Sequence, residues 1–325
     1  MKLKIDPFVL GLLFSICIAY LFPSFGVIPE LDIVVSIGVS VIFFFYGIKL
    51  KTEQLFADLK NWKLHSIIQI STFLVFPFIV ILFFPFLSTE RSKLFWLSFL
   101  FLASLPSTVS SSVIMVSIAK GNLTGAIFNS TISGILGIVI TPIWMGFFLT
   151  KSTSEFQLTE IYFKLVLEIL LPICLGLFIQ IYFSKFFKNK KSRVSFFDKF
   201  IILLIVYKSF AESFAKNVFS EIHLFDVILL IFCTTILFFI MYYLIGFVCK
   251  LYKFNLEDQI TAQFCGTKKS LVHGTVFSKI LFSSAFPLGI ILLPLMLFHA
   301  IQIFIISIIA SNLAKRQSTI IIDES

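Results

Sequence analysis

Two lysines, Lys268 and Lys269, stand side by side in an otherwise apolar stretch that reads Thr261-Ala-Gln-Phe-Cys-Gly-Thr-Lys-Lys-Ser-Leu-Val-His-Gly274. A lysine at the centre of a spanning helix costs about 2.5–3.5 kcal/mol on insertion scales, so the pair is expected to face protein or water and not lipid. Paired ammonium groups held there are suited to attract an anion or to carry charge, and by default they mark a site. Gly266 and Gly274 bracket the pair, and Thr267, Ser270 and His273 supply polar side chains. This fits a helix that breaks near the bilayer midplane and needs hydroxyls for its freed backbone groups. The alternative is that both lysines lie at a helix end and reach up to the headgroups.

A second polar strip lies in another apolar run, Ala103-Ser-Leu-Pro-Ser-Thr-Val-Ser-Ser-Ser-Val113, with six hydroxyls between Ser104 and Ser112. Pro106 removes an amide donor and clashes with the preceding turn, so carbonyls near Ala103 are expected to lose partners and become available to a ligand. Ser107, Ser110, Ser111 and Ser112 are therefore candidate ligand contacts, with close helix packing as the other reading. Asn129 and Ser133 are spaced i,i+4 and precede Gly134, Gly137 and Thr141-Pro142, so both are expected to face the break. His65 with Gln69, and His299 with Gln302, each share a helix face, open to interhelical hydrogen bonding or ligand contact. Glu168 precedes Pro172 and is a candidate ion-pair or gate residue. Lys208 and Glu212, i,i+4, are expected to neutralise each other.

Composition decides what must position these residues. The chain has 58% hydrophobic and 13% charged residues, a mean hydropathy of +1.04 and 44 Phe in 325 residues, the profile of an all-α polytopic membrane protein. The formal charge of +9 does not point to nucleic acid, because the basic residues fall between apolar runs and form no single patch. The lipid bilayer is the expected partner. Cys17, Cys174, Cys233, Cys249 and Cys265 show no paired spacing and read as buried small hydrophobes, with no disulfide framework or zinc site. The run after Lys2 and Lys4 is long and lacks a small-x-small cleavage site, so it reads as an uncleaved first span. HExxH, Gly-x-Ser-x-Gly and a pair of intramembrane aspartates are all missing, which argues against an intramembrane enzyme.

About ten runs are long enough to cross ~30 Å of hydrocarbon: 7–27, 33–49, 64–87, 94–119, 124–149, 161–184, 200–219, 224–250, 258–282 and 286–313. With the N-terminus in the cytoplasm, only Arg91, Lys93, Lys151, Lys164, Lys216 and Lys279 fall outside, against seventeen basic residues inside, while Lys208, Lys268 and Lys269 lie within spans. Both termini are thus expected to be cytoplasmic, in the inner (plasma) membrane, with the basic loop 185–199 as a topology anchor or a headgroup site. Residues 1–150 would form a first repeat of spans 1–5. Residues 151–325 would form the second, with span 6 and the basic loop within 151–199. An odd number per half forces the second copy to enter from the opposite side, the inverted-repeat plan of many secondary transporters. The two polar interruptions then fall in the fourth span of each half, where a binding site is expected.

The stretches Phe44-Phe-Tyr-Gly-Ile-Lys-Leu-Lys-Thr-Glu53, Lys63-Leu-His-Ser-Ile-Ile-Gln69, Leu105-Pro-Ser-Thr-Val-Ser-Ser-Ser-Val113, Gly125-Ala-Ile-Phe-Asn-Ser130, Leu136-Gly-Ile-Val-Ile-Thr-Pro142 and Phe264-Cys-Gly-Thr-Lys-Lys-Ser-Leu271 carry a resemblance. The chain resembles the bile acid/sodium symporter superfamily, in the branch of the seventh member of human solute carrier family ten and its bacterial relatives. The resemblance implies ten helices as two inverted five-helix repeats, core and panel domains, and broken, crossing fourth and ninth helices. It also implies alternating-access transport of a small organic anion, coupled to sodium in the better-known branches. Ser111, Ser112, Asn129 and Ser133 match the region where those branches place sodium ligands.

The ninth helix departs from the pattern. Those branches carry an acidic residue before the crossing and a Gln-Asn pair at it, where this chain reads near Gln263 or Phe264 and then Lys268-Lys269. An ammonium a few ångströms away repels sodium by ~4 kcal/mol at an effective dielectric of 20. Two expectations follow. A lysine stands in for the sodium ion and attracts an anionic substrate, or Lys268 or Lys269 carries a proton as the coupling ion. A non-transporting membrane regulator or adaptor, for example of calcium handling, is the other function that the branch implies. Oligomeric state is left open.

Overall fold

The computed structural model describes residues 7–49, 60–84, 89–149, 163–187, 191–282 and 286–323. Lys2, Lys4, Lys51, Lys151, Lys188 and Lys190, used above for orientation, lie outside the described residues, as do the side chains of Lys49, Lys185, Lys191, Arg193, Arg316 and Ser110.

Every described element is helical. We number them α1 (Pro7–Leu21), α2 (Pro29–Lys49), α3 (Trp62–Ile81), α4 (Glu90–Ser104), α5 (Ser110–Ile118), α6 (Leu123–Leu149), α7 (π turn Val166–Leu170, then Leu171–Phe187), α8 (Lys191–Ala215), α9 (Leu224–Leu251), α10 (Leu256–Thr267), α11 (Leu271–Leu281) and α12 (Leu288–Asp323). Among the described residues, six helices are long and apolar enough to cross a membrane: Pro29–Ile48, Trp62–Ile81, Leu123–Leu149, Phe163–Gln180, Leu224–Leu251 and Leu288–Lys315. Ten spans are expected from hydropathy alone, and the shortfall has physical causes. The fourth and ninth runs are each two short helices, α4 with α5 and α10 with α11, and neither piece reaches across hydrocarbon by itself. Helix α8 carries Asp198, Lys199, Lys208 and Glu212 along its length. The apolar part of α1 is only Leu10–Leu21.

The chain divides into two compact, interleaved units. Unit 1 holds residues 1–51, 146–224 and 274–293; unit 2 holds 52–145, 225–273 and 294–325.

In unit 1, α2 packs along α7, and α1 and α2 pack on α8. The α2–α7 contact rests on two glycines: a Cβ on Gly47 would overlap the Ile173 carbonyl oxygen, and one on Gly176 would overlap that of Phe44. Small residues allow this backbone approach, the usual device of membrane helix pairs. Lys208 pairs with Glu212, as expected, and also with Asp32 at 3.2 Å. Lys279 donates to the Ser36 hydroxyl at 2.7 Å and the Asp32 carbonyl at 3.1 Å. Unit 1 also has an open, apolar groove of about 380 Å³ lined by residues such as Ser40, Phe44 and Pro172, with none of the expected site residues among its walls.

In unit 2, α10 packs on α3 and α5, and α3 on α4. Its helix ends are defined locally. Thr89 and Ser92 form a reciprocal capping box at the start of α4, and Asn255 caps α10 by accepting from the Asp258 amide at 2.7 Å. The Asp258 carboxylate accepts from Asn61 Nδ2 at 3.0 Å and Asn122 Nδ2 at 2.8 Å, tying the starts of α3, α6 and α10 together.

The five cysteines are free, and the expectation that all are buried is corrected. Cys249 and Cys265 are buried, Cys233 is half-buried, and Cys17 and Cys174 are exposed on α1 and α7. A thiol is apolar enough for an outward helix face that meets lipid, so position in an apolar run does not by itself imply burial in protein.

Candidate functional site

The site in unit 2 is built from main-chain groups that proline and π geometry leave without helical partners. In α3, residues Ser71–Val75 form a π turn, and the Phe76 amide bonds to Ser71 O. The Thr72 carbonyl thereby loses its usual partner, and Pro77 has no amide to offer Phe73 O. Side chains take both: Trp144 Nε1 donates to Phe73 O at 2.7 Å, and Lys269 Nζ to Thr72 O at 2.8 Å.

The gap between α4 and α5 repeats the logic. Leu105 is extended, with φ −70° and ψ 151°, and Pro106 follows it. The Ser107 amide turns to Ser133 Oγ at 2.9 Å, which frees Ala103 O. Thr141 Oγ1 donates to Ser104 O at 2.8 Å. Lys269 Nζ donates to Ala103 O at 2.6 Å and to Leu105 O at 2.9 Å. Gly137 makes room for the proline, since a Cβ there would lie 2.7 Å from Pro106 Cγ.

On the other side, α10 ends at Thr267 and α11 begins at Leu271. Lys268 is extended (φ −79°, ψ 143°), and among the described residues no glycine has positive φ. The interruption is thus held by hydrogen bonds and does not depend on Gly266 or Gly274 in a left-handed conformation. The Ser270 amide bonds to Pro106 O at 2.9 Å, and Ser107 Oγ donates to Cys265 O at 2.6 Å, so the two gaps are joined directly. Gln302 holds the Lys269 peptide, accepting from its N–H and donating to its carbonyl, both at 2.9 Å. His299 Nδ1 lies 3.0 Å from Gln302 Nε2.

Both lysines are 0% exposed, yet their surroundings differ. The Lys269 ammonium meets the three carbonyls above and lies 4.2 Å from the centre of the Phe76 ring. Among the described residues, Lys268 Nζ has one acceptor, Ser111 O at 2.8 Å.

The remaining expected residues separate into groups. Thr108 Oγ1 bonds to Ser111 Oγ at 2.6 Å and to Ser112 Oγ at 3.2 Å, beside the Lys268 contact. Ser110 opens α5, but its side chain lies outside the described residues. Ser133 faces the gap through the Ser107 amide. Asn129 does not follow it: its amide nitrogen donates to Gly125 O and meets His65 Nδ1, both at 2.8 Å, and its oxygen accepts from Gln69 Nε2 at 3.2 Å. Gln263 turns away to the Tyr242 carbonyl on α9 at 3.0 Å. Thr267 Oγ1 returns to Gln263 O at 2.6 Å, and Ser270 Oγ lies 2.9 Å from His273 Nδ1.

A model of the SBF-like CPA transporter family matches residues 6–315. The chain belongs to this family. It is similar to the putative symporter YfeH of Escherichia coli, at 30% identity over 97% of this chain and 94% of that protein. It is also similar to sodium/bile acid cotransporter 7-A of Xenopus laevis, at 32% over 96% of this chain and 92% of that protein. Sodium/bile acid cotransporter 7 of Rattus norvegicus is 32% identical over 96% of this chain and 93% of its own. The protein is accordingly an integral membrane transporter of this family and not an enzyme.

Thr72 and Phe76 are absent from the sequence-derived set of site residues in this transporter. A carbonyl acceptor leaves no trace in residue type, and Phe76 is one of 44 phenylalanines. The usable signal is Pro77 inside an apolar span, the same signal that Pro106 provides.

Proposed function

We propose that the transporter moves a small organic anion across the inner (plasma) membrane by alternating access, with the anion drawn to the amine of Lys268. The observation that carries this reading is the pair of fully buried lysines at the joined gaps: among the described residues, neither forms an ion pair. Uncompensated positive charge at membrane depth is costly unless a partner arrives, and an anionic substrate is such a partner. The relatives named as symporters and as sodium/bile acid cotransporters support the same class.

On this reading the chain has ten spans in two inverted repeats, 1–150 and 151–325, with fourth and ninth helices broken and crossing and both termini cytoplasmic. Unit 2 is the core domain and unit 1 the panel domain. On this reading a lysine ammonium takes the place of a sodium ion at the gaps. If sodium is used, the oxygens of Ser111, Ser112, Asn129 and Ser133 are its candidate ligands, and each would exchange or share its present hydrogen-bond partner with the ion.

The test is flux into proteoliposomes holding the purified protein, with carboxylates, sulfonates and steroid conjugates such as taurocholate offered in sodium or potassium buffer. Saturable uptake that Lys268→Ala abolishes, and that does not need sodium, is the expected result. Absence of flux for every anion class sinks the reading and leaves a membrane regulator. Sodium-dependent uptake untouched by Lys268→Ala assigns the charge elsewhere.

A further inference from the structure

We infer that the ammonium of Lys269 is a built-in cation, seated in a main-chain oxygen cage that binds a free monovalent cation once the side chain is removed. The inference deepens the proposed transport reading by assigning separate tasks to the two lysines, and it is tested without a transport assay.

The hydrogen-bond count makes the case. Lys269 Nζ has three partners, Thr72 O, Ala103 O and Leu105 O, at 2.8, 2.6 and 2.9 Å, and all three are carbonyl oxygens that can only accept. A neutral amine has two hydrogens and would turn its lone pair on one of these oxygens. Three acceptors require three donors, which is the ammonium form. The Phe76 ring at 4.2 Å adds the π face that favours a desolvated cation.

The cage is encoded separately from its occupant. Thr72 O is freed by the π turn before Pro77, Ala103 O by the diversion of the Ser107 amide to Ser133, and Leu105 O by extended backbone at the α4 end. None of these depends on the lysine side chain. Convergent carbonyl oxygens that replace water around an ion are the chemistry of monovalent cation sites. The residue that supplies one cage carbonyl, Thr72, is fully buried, and its hydroxyl has no hydrogen-bond partner among the described residues.

Lys268 has a different environment, with one acceptor for its amine among the described residues. Its remaining hydrogens are the ones available to an arriving anion. Lys269 is saturated, so it positions the two gaps and holds charge, while Lys268 meets the substrate.

The experiment is a thermal-melting series on the purified full-length protein, titrated with methylammonium, lithium, sodium or potassium chloride and held at constant ionic strength with N-methylglucamine chloride. The wild type and Lys268→Ala are expected to melt independently of cation identity. Lys269→Ala is expected to melt at least about 5 °C lower and to regain half or more of that loss, saturably, with methylammonium or one of the alkali ions. Lys269→Ala melting with no cation preference beyond that of the wild type overturns the inference. If Lys269→Ala yields no folded protein, Lys269→Gln decides. Its neutral amide has only two hydrogens, so a melting point several degrees below wild type supports the charged cage, and one equal to wild type overturns it. Cation rescue of Lys269→Ala in a protein that moves no anion would retain this inference and discard the transport reading.

Discussion

Gln302 grips Lys269 by the backbone: its oxygen accepts the Lys269 amide and its nitrogen donates to the Lys269 carbonyl, each at 2.9 Å. A side-chain amide on α12 thus satisfies both polar groups of an extended residue between α10 and α11. Truncation as Gln302→Ala leaves one buried donor and one buried acceptor without partners, each worth about 1–3 kcal/mol. The variant is expected to lose roughly 2–5 kcal/mol, read as a lowered denaturation midpoint in detergent. A midpoint within error of wild type would mean that the grip contributes nothing.

Ser107 is the second joint. Its hydroxyl takes the Cys265 carbonyl at 2.6 Å while its amide takes Ser133 Oγ at 2.9 Å. Ser107→Ala and Ser133→Ala each strand one buried group and are expected to cost about 1–3 kcal/mol. The two bonds share one residue, so a double-mutant cycle should give a coupling of at least ~0.5 kcal/mol. Strict additivity in chemical denaturation would show that the two bonds at Ser107 act independently.

Gly137 tests packing alone. The Cβ of Gly137→Ala would lie 2.7 Å from Pro106 Cγ, within α6 facing the gap. Overpacking of this kind costs about 1–3 kcal/mol. The expected outcome is a lowered melting temperature together with impaired uptake, because Pro106 sets the carbonyls that Lys269 uses. An alanine variant as stable as wild type would place the close contact elsewhere.

The ion pairs of the two units are expected to respond unequally. Lys93 with Glu90 is exposed, and Lys93→Met should change stability by no more than about 0.5 kcal/mol. Lys208 is largely buried and pairs with the partly buried Glu212 and the exposed Asp32, so Lys208→Met leaves the Glu212 carboxylate without its cation and should cost about 1–3 kcal/mol. Equal midpoints for the two variants would contradict this ranking.

Much of the candidate site was legible in the residues. An ammonium pair in an apolar run and a proline with six nearby hydroxyls break the pattern of lipid-facing sequence, and the structure joins these two stretches through Ser107, Ser270 and Lys269. What was not legible follows from how the contacts are made. The i,i+4 spacing of Asn129 and Ser133 places both on one face of α6 but does not say which neighbour each meets; Asn129 meets His65 and Gln69, and Ser133 meets Ser107. Three partners of Lys269 are main-chain oxygens, so they answer to backbone geometry and not to side-chain type. Span counting by hydropathy treats α4 with α5 as continuous, since Pro106 and the serines lower the average too little to register.

The contact of Gly47 with Gly176 has a mechanical meaning. With each glycine set against a carbonyl oxygen of the facing helix, α2 and α7 meet backbone to backbone. Any side chain introduced at either position would have to wedge the two helices apart, so their separation is fixed by what these two residues lack.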